Sequence, residues 1–378
     1  MNYSMLSTSA WSRARYRLKS ALGWASAHLE DARRNRRCAA QDQRILVTRH
    51  CAKHSTMFRD FFTWVCEQVP ELMSRLEFRR LPFQLPARHR YAAHVCWIND
   101  TLDLWSPNGF RQECELVAQC RAAGVGVVNA IGGIHNVGKL RGSELMRASG
   151  ARTPQCRWAP PHWRDAAAPR VLETLGLQYP VLIREERGHG CPSLLLNDER
   201  ALNQADLTGF ATPIVAEFVD TRDARGRFRK YRYVTAGHLG VPRHLITDMQ
   251  WDARPHRRVR DEQAMAEEES FVSHPTREHE HETFRRARVA LGMEVVGFDY
   301  SYTRDGTIVI WEANPFLDMN RPKYVAAGHL DAAVERTYAA VAHCYLATAG
   351  VEIPNRLFDL LGDVATWDRD GSAVAGAA

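Results

Sequence analysis

The sequence has no long apolar run, no bias toward glycine or proline, and no paired-cysteine motif. Its uncharged apolar stretches fall short of the roughly 20 residues that a membrane-spanning helix needs. The 24 glycines and 17 prolines among 378 residues exclude a collagen-like chain, and 45% hydrophobic residues exclude an intrinsically disordered one. We therefore expect a folded protein without a membrane span, long enough to bury a substantial core.

The cysteines are nine in number, and none forms C-x-x-C. A secreted disulfide framework or a zinc knuckle is therefore a poor interpretation. The first residues also lack the charged segment and following apolar segment of a secretory signal. Scattered reduced thiols fit a cytoplasmic protein, which is the localisation we expect.

The formal net charge of +6 comes from one end of the chain. Residues 1–40 hold eight basic and two acidic side chains, whereas the remaining 338 residues are balanced. Leu18, Leu22, Ala25 and Leu29 recur at helical spacing, which predicts a basic helical arm. It is either an anchor or transit segment, or a solvated extension or helix packed on the body. Because the body has no net positive charge, we expect no nucleic-acid partner.

Strands alternating with helices in residues 41–135 predict a parallel α/β sheet. The predicted strands there are 44–50, 91–98 and 125–130, and the predicted helices are 58–76 and 109–123. From residue 136 onward helices are predicted at 136–150, 165–175, 199–205, 282–291 and 330–347. The later strands are 180–185, 193–196, 213–219, 228–236, 239–246, 295–303 and 307–312. Residues 250–282 show no clear periodicity, and 351–378 are predicted to be a C-terminal tail, disordered at 371–378.

The segment 297–315, GFDYSYTRDGTIVIWEANP, carries the strongest chemical signal. Side chains of a strand alternate between faces, so Glu312 and Asn314 share one face. Asp299 lies on the partner strand of the hairpin and can reach the same face. Two carboxylates and an amide oxygen form a hard oxygen-ligand set that suits Mg²⁺ bound with nucleotide phosphates. The alternative is that they are ordinary strand-end and turn-capping groups.

A second signal is Arg184, which lies on a predicted strand just before a glycine loop, Arg187-Gly-His-Gly190. A cation beside a loop whose N–H groups can cover an anion is typical of a phosphate clamp. An ordinary hairpin with an exposed arginine is the alternative.

A third signal lies on the predicted strand 228–236, where Lys230 and Arg232 share a face. Two cations on one face of a strand indicate either an anion site or an edge strand protected by its charge.

Two further motifs are expected not to have the function that their patterns suggest, a P-loop and a metal site. The segment 133–140, GIHNVGKL, matches a P-loop until Leu140, which lacks the hydroxyl that binds Mg²⁺. The segment 278–282, EHEHE, is expected to be solvated surface, because alternate residues on a helix do not share a face.

Taken in order, these segments resemble the ATP-grasp superfamily, in particular the glutathione-synthetase-like carboxylate–amine ligases. The resemblance spans roughly residues 90–345 and is carried by Asn129, Lys139, Gly150, Thr153-Pro154, 180–184, 217–219, Arg232 and 297–315. It implies an α/β (α+β) ATP-grasp fold. The N-terminal Rossmann-like pre-ATP-grasp domain would be 41–135 and the ATP-grasp domain 136–350. A lid at about 151–220 and a C-terminal antiparallel sheet would hold the nucleotide between them.

The resemblance also implies ATP and Mg²⁺ (or Mn²⁺) as cofactors and assigns roles to individual residues. The implied metal ligands are Asp299, Glu312 and Asn314. The implied stabilisers of the transferring phosphate are Arg232 and Arg243. The implied nucleotide-binding residues are Lys139, Arg184, Gly188, Gly190, Glu217, Phe218 and Val219. Arg184 stands where the family usually has lysine, a departure that bears on ATP affinity.

The implied activity is an ADP-forming ligase that joins a small-molecule carboxylate to an amine through an acyl phosphate. One alternative is an ATP-grasp kinase that phosphorylates a small hydroxyl compound. The other is a non-catalytic ATP-binding or scaffold protein, which Arg184 and the short glycine loop favour. The oligomeric state is open, and a homodimer is compatible with the sequence.

Overall fold

The computed structural model describes residues 25, 28–38, 42–50, 57–97, 101–159, 172–188, 193–321 and 328–368. The chain divides into two compact units. The first comprises Met1–Ile131, Asp318–Arg321 and Ala342–Leu357, and the second comprises Gly132–Leu317, Pro322–Val341 and Phe358–Ala378. Within the described ranges, no helix combines the length and the apolarity that crossing a membrane requires.

Four parallel strands form the sheet of the first unit, in the order β2-β1-β3-β4. They are β1 (Arg44–Arg49), β2 (Leu76–Arg80), β3 (Tyr91–Cys96) and β4 (Gly126–Val128). Ile45, Leu46 and Val47 of β1 are completely buried. Such a run is typical of a parallel strand covered on both faces. The parallel sheet that the strand–helix alternation predicts is confirmed.

The helices of the first unit are α1 (described residues 28–35), α2 (Arg59–Gln68), α3 (Pro70–Met73), α4 (Leu102–Trp105) and α5 (Pro107–Ala122). The prediction of one helix over 58–76 is wrong. Pro70, which has no N–H to donate, starts a second short helix. Buried Leu76 and Phe78 then belong to β2, a strand that was not predicted.

The described part of the N-terminal arm packs on this sheet. Asp31 of α1 is buried and accepts hydrogen bonds from Arg49 at 2.7 Å and Arg80 at 2.8 Å. The amide of Asn35 donates to the Phe78 carbonyl at 3.0 Å and accepts from its N–H at 2.8 Å. Asn35 thus continues the hydrogen bonding of the edge strand β2. Residues 28–35 fit the helix-on-body interpretation, while residues 1–24 lie outside the described part of the chain.

In the second unit, helix α6 (Lys139–Ala148) precedes a small antiparallel sheet in the order β5-β8-β6-β7. Its strands are β5 (Cys156–Trp158), β6 (Val181–Glu185), β7 (Ser193–Leu196) and β8 (Pro213–Glu217). Asp198 caps helix α7 (Glu199–Gln204) by accepting the Ala201 N–H at 2.7 Å. Most of the helix predicted at 165–175 lies outside the described residues.

Five antiparallel strands form the larger sheet of this unit, in the order β12-β11-β9-β10-β13. They are β9 (Phe228–Ala236), β10 (Leu239–Asp248), β11 (Val295–Tyr302), β12 (Ile308–Asn314) and β13 (Thr366–Trp367). A core that includes Phe284, Phe298, Tyr300 and Ile310 is completely buried beneath it. The apolar face of this sheet is therefore filled, and its polar side chains lie on the other face.

Four more helices are α8 (Glu262–Ser273), α9 (Glu278–Leu291), α10 (Asp331–Thr348) and α11 (Asn355–Leu361). Helix α8 was missed in the segment 250–282 because its buried face includes Glu268, which is paired with Arg258 at 2.6 Å. Helix α11 and β13 correct the prediction that 351–378 is only a tail. The disorder predicted at 371–378 lies outside the described residues.

The prediction of solvated surface at 278–282 is wrong for two residues of α9. Glu280 and His281 are buried. The ring of His281 hydrogen-bonds the Tyr233 hydroxyl at 2.8 Å and the Asp368 carboxylate at 2.8 Å. Tyr233 of β9 and Asp368, the residue after β13, supply the polar partners that make this burial possible. Both are distant from His281 along the chain, so the local sequence does not show them.

Candidate active site

Three charged residues form a row across neighbouring strands of the larger sheet. In the register of the sheet, Asp299 on β11 lies opposite Arg232 on β9 and opposite Glu312 on β12. Side chains directly opposite each other in antiparallel strands share a face. The hairpin therefore brings the two predicted carboxylate ligands side by side, with a cation next to them.

Asp299 is buried, and two cations approach it. The Nε of Arg232 donates to its Oδ1, and the Nζ of Lys230 lies 3.9 Å from its Oδ2. Lys230 precedes Arg232 by two residues, so both point to this face of β9. The resemblance assigned no role to Lys230, although strand alternation already placed it on the same face as Arg232.

Glu312 contacts the cation of the second predicted segment. The Nη2 of Arg184, on β6, lies 3.5 Å from its Oε2. Asn314 is buried two residues further along β12, opposite Gly297. A Cβ at Gly297 would clash with Leu317 and lie 3.3 Å from Cδ of Arg232, so glycine leaves room for the arginine stem. The donor set of two carboxylates and an amide oxygen fits a hard divalent cation.

A cleft in the second unit lies between the two sheets and helix α6. Its lining includes the charged side chains Lys139, Arg184 and Glu312. It also includes the apolar side chains Met146, Leu182 and Ala216. A cleft with charged groups and apolar walls suits a ligand that has both an anionic part and a flat apolar part. The apolar residues were not predicted as site residues, since only the fold brings them together.

Lys139 is the first residue of α6 and is held against the glycine loop. Its Nζ donates to the Gly188 carbonyl at 3.0 Å, and its backbone N–H donates to the Glu186 carbonyl at 3.1 Å. Burial raises the pKa of Glu186, although the Leu140 N–H and nearby cations oppose this rise. Lys139, Gly188 and Arg184 therefore belong to one neighbourhood. Gly190, the other predicted loop residue, lies outside the described residues.

The predicted adenine hinge begins at Glu217, the last residue of β8. Its Glu217 accepts the Gln155 N–H at 3.1 Å, and its own N–H donates to the Gln155 carbonyl at 2.8 Å. The ring of Phe218 packs edge-on against Trp251, with 6.4 Å between ring centroids, and Val219 is buried. The Glu217 side chain thus links β8 to the residue before β5. Ala216, immediately before it, lines the cleft.

Arg243 lies at an irregularity of β10. The register between β9 and β10 shifts between Pro242 and His244, and Arg243 is buried there. The next residue, His244, pairs with Arg232. Burial, followed by the charges of Arg232 and Arg243, lowers the pKa of His244 well below its usual range. Arg232, Arg243 and Lys230 thus bring several cations to this part of the sheet, an arrangement that favours an anion. His244 was not predicted, because a bulge is not visible in the sequence.

The structures of two ligases are similar to this fold. VanG D-Ala:D-Ser ligase from Enterococcus faecalis matches with a TM-score of 0.52 at 13% identity, covering 82% of this chain and 100% of that one. The ATP-grasp ligase PsnB, complexed with a phosphomimetic variant of its minimal precursor, Mg and ADP, matches with a TM-score of 0.51 at 12% identity. That alignment covers 82% of this chain and 99% of PsnB. No protein-family model matches, and no curated protein does.

These structural similarities extend over nearly the whole of each neighbour. The chain therefore has the ATP-grasp fold, and the resemblance inferred from the order of its motifs is confirmed at the level of the fold. The mixed α/β architecture, with one parallel sheet and two antiparallel sheets, is confirmed with it.

Proposed function

We propose that the protein is an ATP- and Mg²⁺-dependent ligase that joins a carboxylate to an amine and releases ADP and phosphate. The observation that carries the proposal is the row Arg232–Asp299–Glu312 on one face of an ATP-grasp sheet. The structural neighbours support it, since VanG is a D-Ala:D-Ser ligase and PsnB is an ATP-grasp ligase whose structure contains a precursor variant, Mg and ADP. The expected substrates are a small-molecule carboxylate and an amine.

The metal ligands in this proposal are Asp299, Glu312 and Asn314. These residues would hold Mg²⁺ (or Mn²⁺), which would offset the charge that develops during phosphoryl transfer. Arg184 and Arg232 contact the two carboxylates in this structure. We expect both guanidinium groups to turn to phosphate oxygens when the nucleotide binds, because guanidinium binds phosphate as readily as carboxylate.

The remaining chain positions the nucleotide and the substrates. Lys139 and the Gly188 loop, with Gly190, would contact the phosphates, while Arg243 would join Arg232 at the transferring group. The backbone at Glu217, Phe218 and Val219 would bind adenine. The smaller sheet lies within the proposed lid, 151–220, of the ATP-grasp domain 136–350. Closure of that lid would exclude water, which otherwise hydrolyses an acyl phosphate.

The reaction balances without a protein nucleophile. A substrate carboxylate oxygen attacks the γ-phosphorus, the bond to the β-phosphate oxygen breaks, and ADP leaves. The amine then attacks the acyl carbon, phosphate leaves with the transferred oxygen, and the amine loses a proton. The reaction uses no thiol, so it assigns no chemical role to the cysteines, although Cys156 lines the cleft. We also propose a cytoplasmic location, because nine scattered cysteines without C-x-x-C spacing are typical of reduced thiols.

One observation favours the second candidate, a non-catalytic nucleotide-binding protein. Arg184 neutralises Glu312, one of the three metal ligands, across a distance of 3.5 Å. If this ion pair persisted with nucleotide bound, Glu312 could not serve a metal ion fully. The positive field around His244 argues instead for a site that receives an anion and then rearranges.

The experiment that tests the proposal is product analysis. The protein is incubated with ATP, Mg²⁺ and pooled amino acids and small carboxylic acids, and ADP and free phosphate are measured separately. A ligase releases both in equal amounts only with the productive pool, whereas a kinase releases ADP without phosphate. ATP binding without any product from pools of carboxylates and amines would contradict the proposal in favour of a binding protein.

A further inference from the structure

Four side chains of the first unit meet in its core at a place that the ligase proposal does not use. His94 and Cys96 are two residues apart on β3, so they project from the same face of that strand. Glu113 and Cys120 are seven residues apart on α5, so they lie on the same face of that helix. Helix α5 packs against β3, and none of the four residues is more than 2% exposed.

The ligand atoms of this cluster lie close together. The Nε2 of His94 is 3.2 Å from Oε1 of Glu113, and Sγ of Cys96 is 4.0 Å from both ring nitrogens of His94. One ligand atom from each of these three residues lies within 4.8 Å of the other two. Cys120 is completely buried on the same face of α5 as Glu113, and its thiol is among the groups that interact with the His94 ring. The separations among His94, Cys96 and Glu113 are short enough for one ion to contact these three groups together.

One carboxylate oxygen in the cluster is without a partner. The Oε1 of Glu113 accepts a hydrogen bond from the Thr48 hydroxyl and faces His94. Its Oε2 is buried and has no hydrogen-bond partner among the described residues. A buried carboxylate oxygen that lacks a donor is unfavourable, because it has lost its water and gained nothing in return. A cation bound in the cluster would supply the missing partner.

We propose that His94, Cys96, Glu113 and Cys120 bind one Zn²⁺, which fastens helix α5 to the parallel sheet. Two sulfur ligands, one imidazole nitrogen and one carboxylate oxygen form a four-coordinate set suited to Zn²⁺, and thiolates disfavour Mg²⁺ and Ca²⁺. Binding releases the protons of both thiols and any second proton on the His94 ring to solvent. Thr48 holds the Glu113 carboxylate in place, as supporting groups around metal sites do.

The sequence hides this site because its ligands come in two pairs on different elements. A strand pair at spacing two and a helix pair at spacing seven form no C-x-x-C pattern. The cysteine spacing that argued against a zinc knuckle therefore does not bear on a site assembled by packing.

Metal analysis of the purified, untagged full-length protein tests the proposal. We expect about one zinc per chain by plasma mass spectrometry. After removal of zinc, titration with Co²⁺ should produce the visible absorption of tetrahedral cobalt and a thiolate-to-cobalt charge-transfer band. Magnesium-site ligands cannot give that band, because they contain no sulfur.

Variants identify the ligands. Cys96→Ala and Glu113→Gln should each lose most of the zinc, whereas Cys114→Ser, a half-buried neighbour on the same helix, should retain it. If Cys96→Ala does not fold, the cobalt spectrum of the wild type and the Glu113→Gln variant still decide the matter. Wild-type protein that neither contains zinc nor gives a thiolate band with Co²⁺ would overturn the site. Zinc content unchanged by both Cys96→Ala and Glu113→Gln would overturn it equally.

Discussion

At the scale of single residues, we expect Arg184 to contribute to nucleotide binding in the cleft. Its guanidinium is expected to leave the Glu312 carboxylate and bind phosphate oxygens when the nucleotide enters. Arg184→Ala should weaken Mg²⁺–ATP binding by about tenfold or more, because a charge-assisted hydrogen bond is lost, while Arg184→Lys should retain most of the affinity. Isothermal titration calorimetry measures both. The control is Arg200→Ala, at an exposed position of α7, and equal affinity of Arg184→Ala and wild type would contradict the role.

Asp223 gives a prediction about pH. It accepts the N–H groups of Arg225 at 2.8 Å and Arg227 at 2.9 Å, and Nη1 of Arg229 at 2.7 Å. Burial alone would raise its pKa, but these bonds lower the pKa from 3.8 to about 2. Because the folded-state value is depressed, the stabilisation is complete above pH 3.8 and is lost as the pH falls toward about 2.

We therefore expect Asp223→Asn to lower the free energy of unfolding at neutral pH. The difference from wild type should shrink as the pH falls through this window, in urea titrations at a series of pH values. A difference that stays constant down to the lowest pH at which the protein folds would contradict the assignment.

The residues of the site differ in how far the sequence determines their positions. Strand alternation and the Asp-Gly turn suffice to place Asp299, Glu312 and Asn314 around one hairpin, and the register has them there. His244 depends instead on a bulge and on pairing with a strand that precedes it. Apolar lining residues such as Leu182 and Ala216 depend on packing between elements. Strand periodicity and turn signals therefore predict the positions of the hairpin residues. They cannot predict the positions of His244 or of the apolar lining residues.

At the scale of elements, strand β10 crosses the ring of Tyr233 at Gly240. A Cβ at this position would lie 2.6 Å from Cζ and 2.7 Å from Cε1 of the ring, which is completely buried. Gly240→Ala should therefore lower stability by roughly 1–3 kcal/mol through overpacking. Thermal or urea unfolding measures it against Gly209→Ala, where a Cβ meets nothing within 4 Å. Equal stability of the two variants would contradict this packing.

The elements that the sequence predicts well are those whose buried faces are apolar. Strands β9 and β11 and helix α10 have bounds within one residue of the prediction at each end. Helix α8 was missed because a buried glutamate interrupts its apolar stripe, and its partner Arg258 lies outside the helix. Strand β2 was not predicted, and only its first residue, Leu76, lay within the predicted helix 58–76, because its partner in the sheet, β1, is distant in sequence. Tertiary pairing overrides local pattern in both cases.

At the scale of the whole molecule, the order of the motifs along the chain indicates the fold more clearly than overall sequence identity does. Identities of 12–13% accompany alignments that cover 82% of the chain. Substrate identity does not follow from the same reasoning, since it depends on loops and pocket shape rather than on the shared sheet.

The central claim is that Asp299, Glu312 and Asn314 bind a divalent metal together with the nucleotide. The most direct test titrates Mn²⁺ by electron paramagnetic resonance, with and without a non-hydrolysable ATP analogue. Wild type should show nucleotide-dependent Mn²⁺ binding, and Glu199→Gln on α7 should bind Mn²⁺ with the same affinity. Glu312→Gln should bind Mn²⁺ about tenfold more weakly, or weaker still. Nucleotide-dependent Mn²⁺ binding that is the same in Glu312→Gln and wild type would contradict the account.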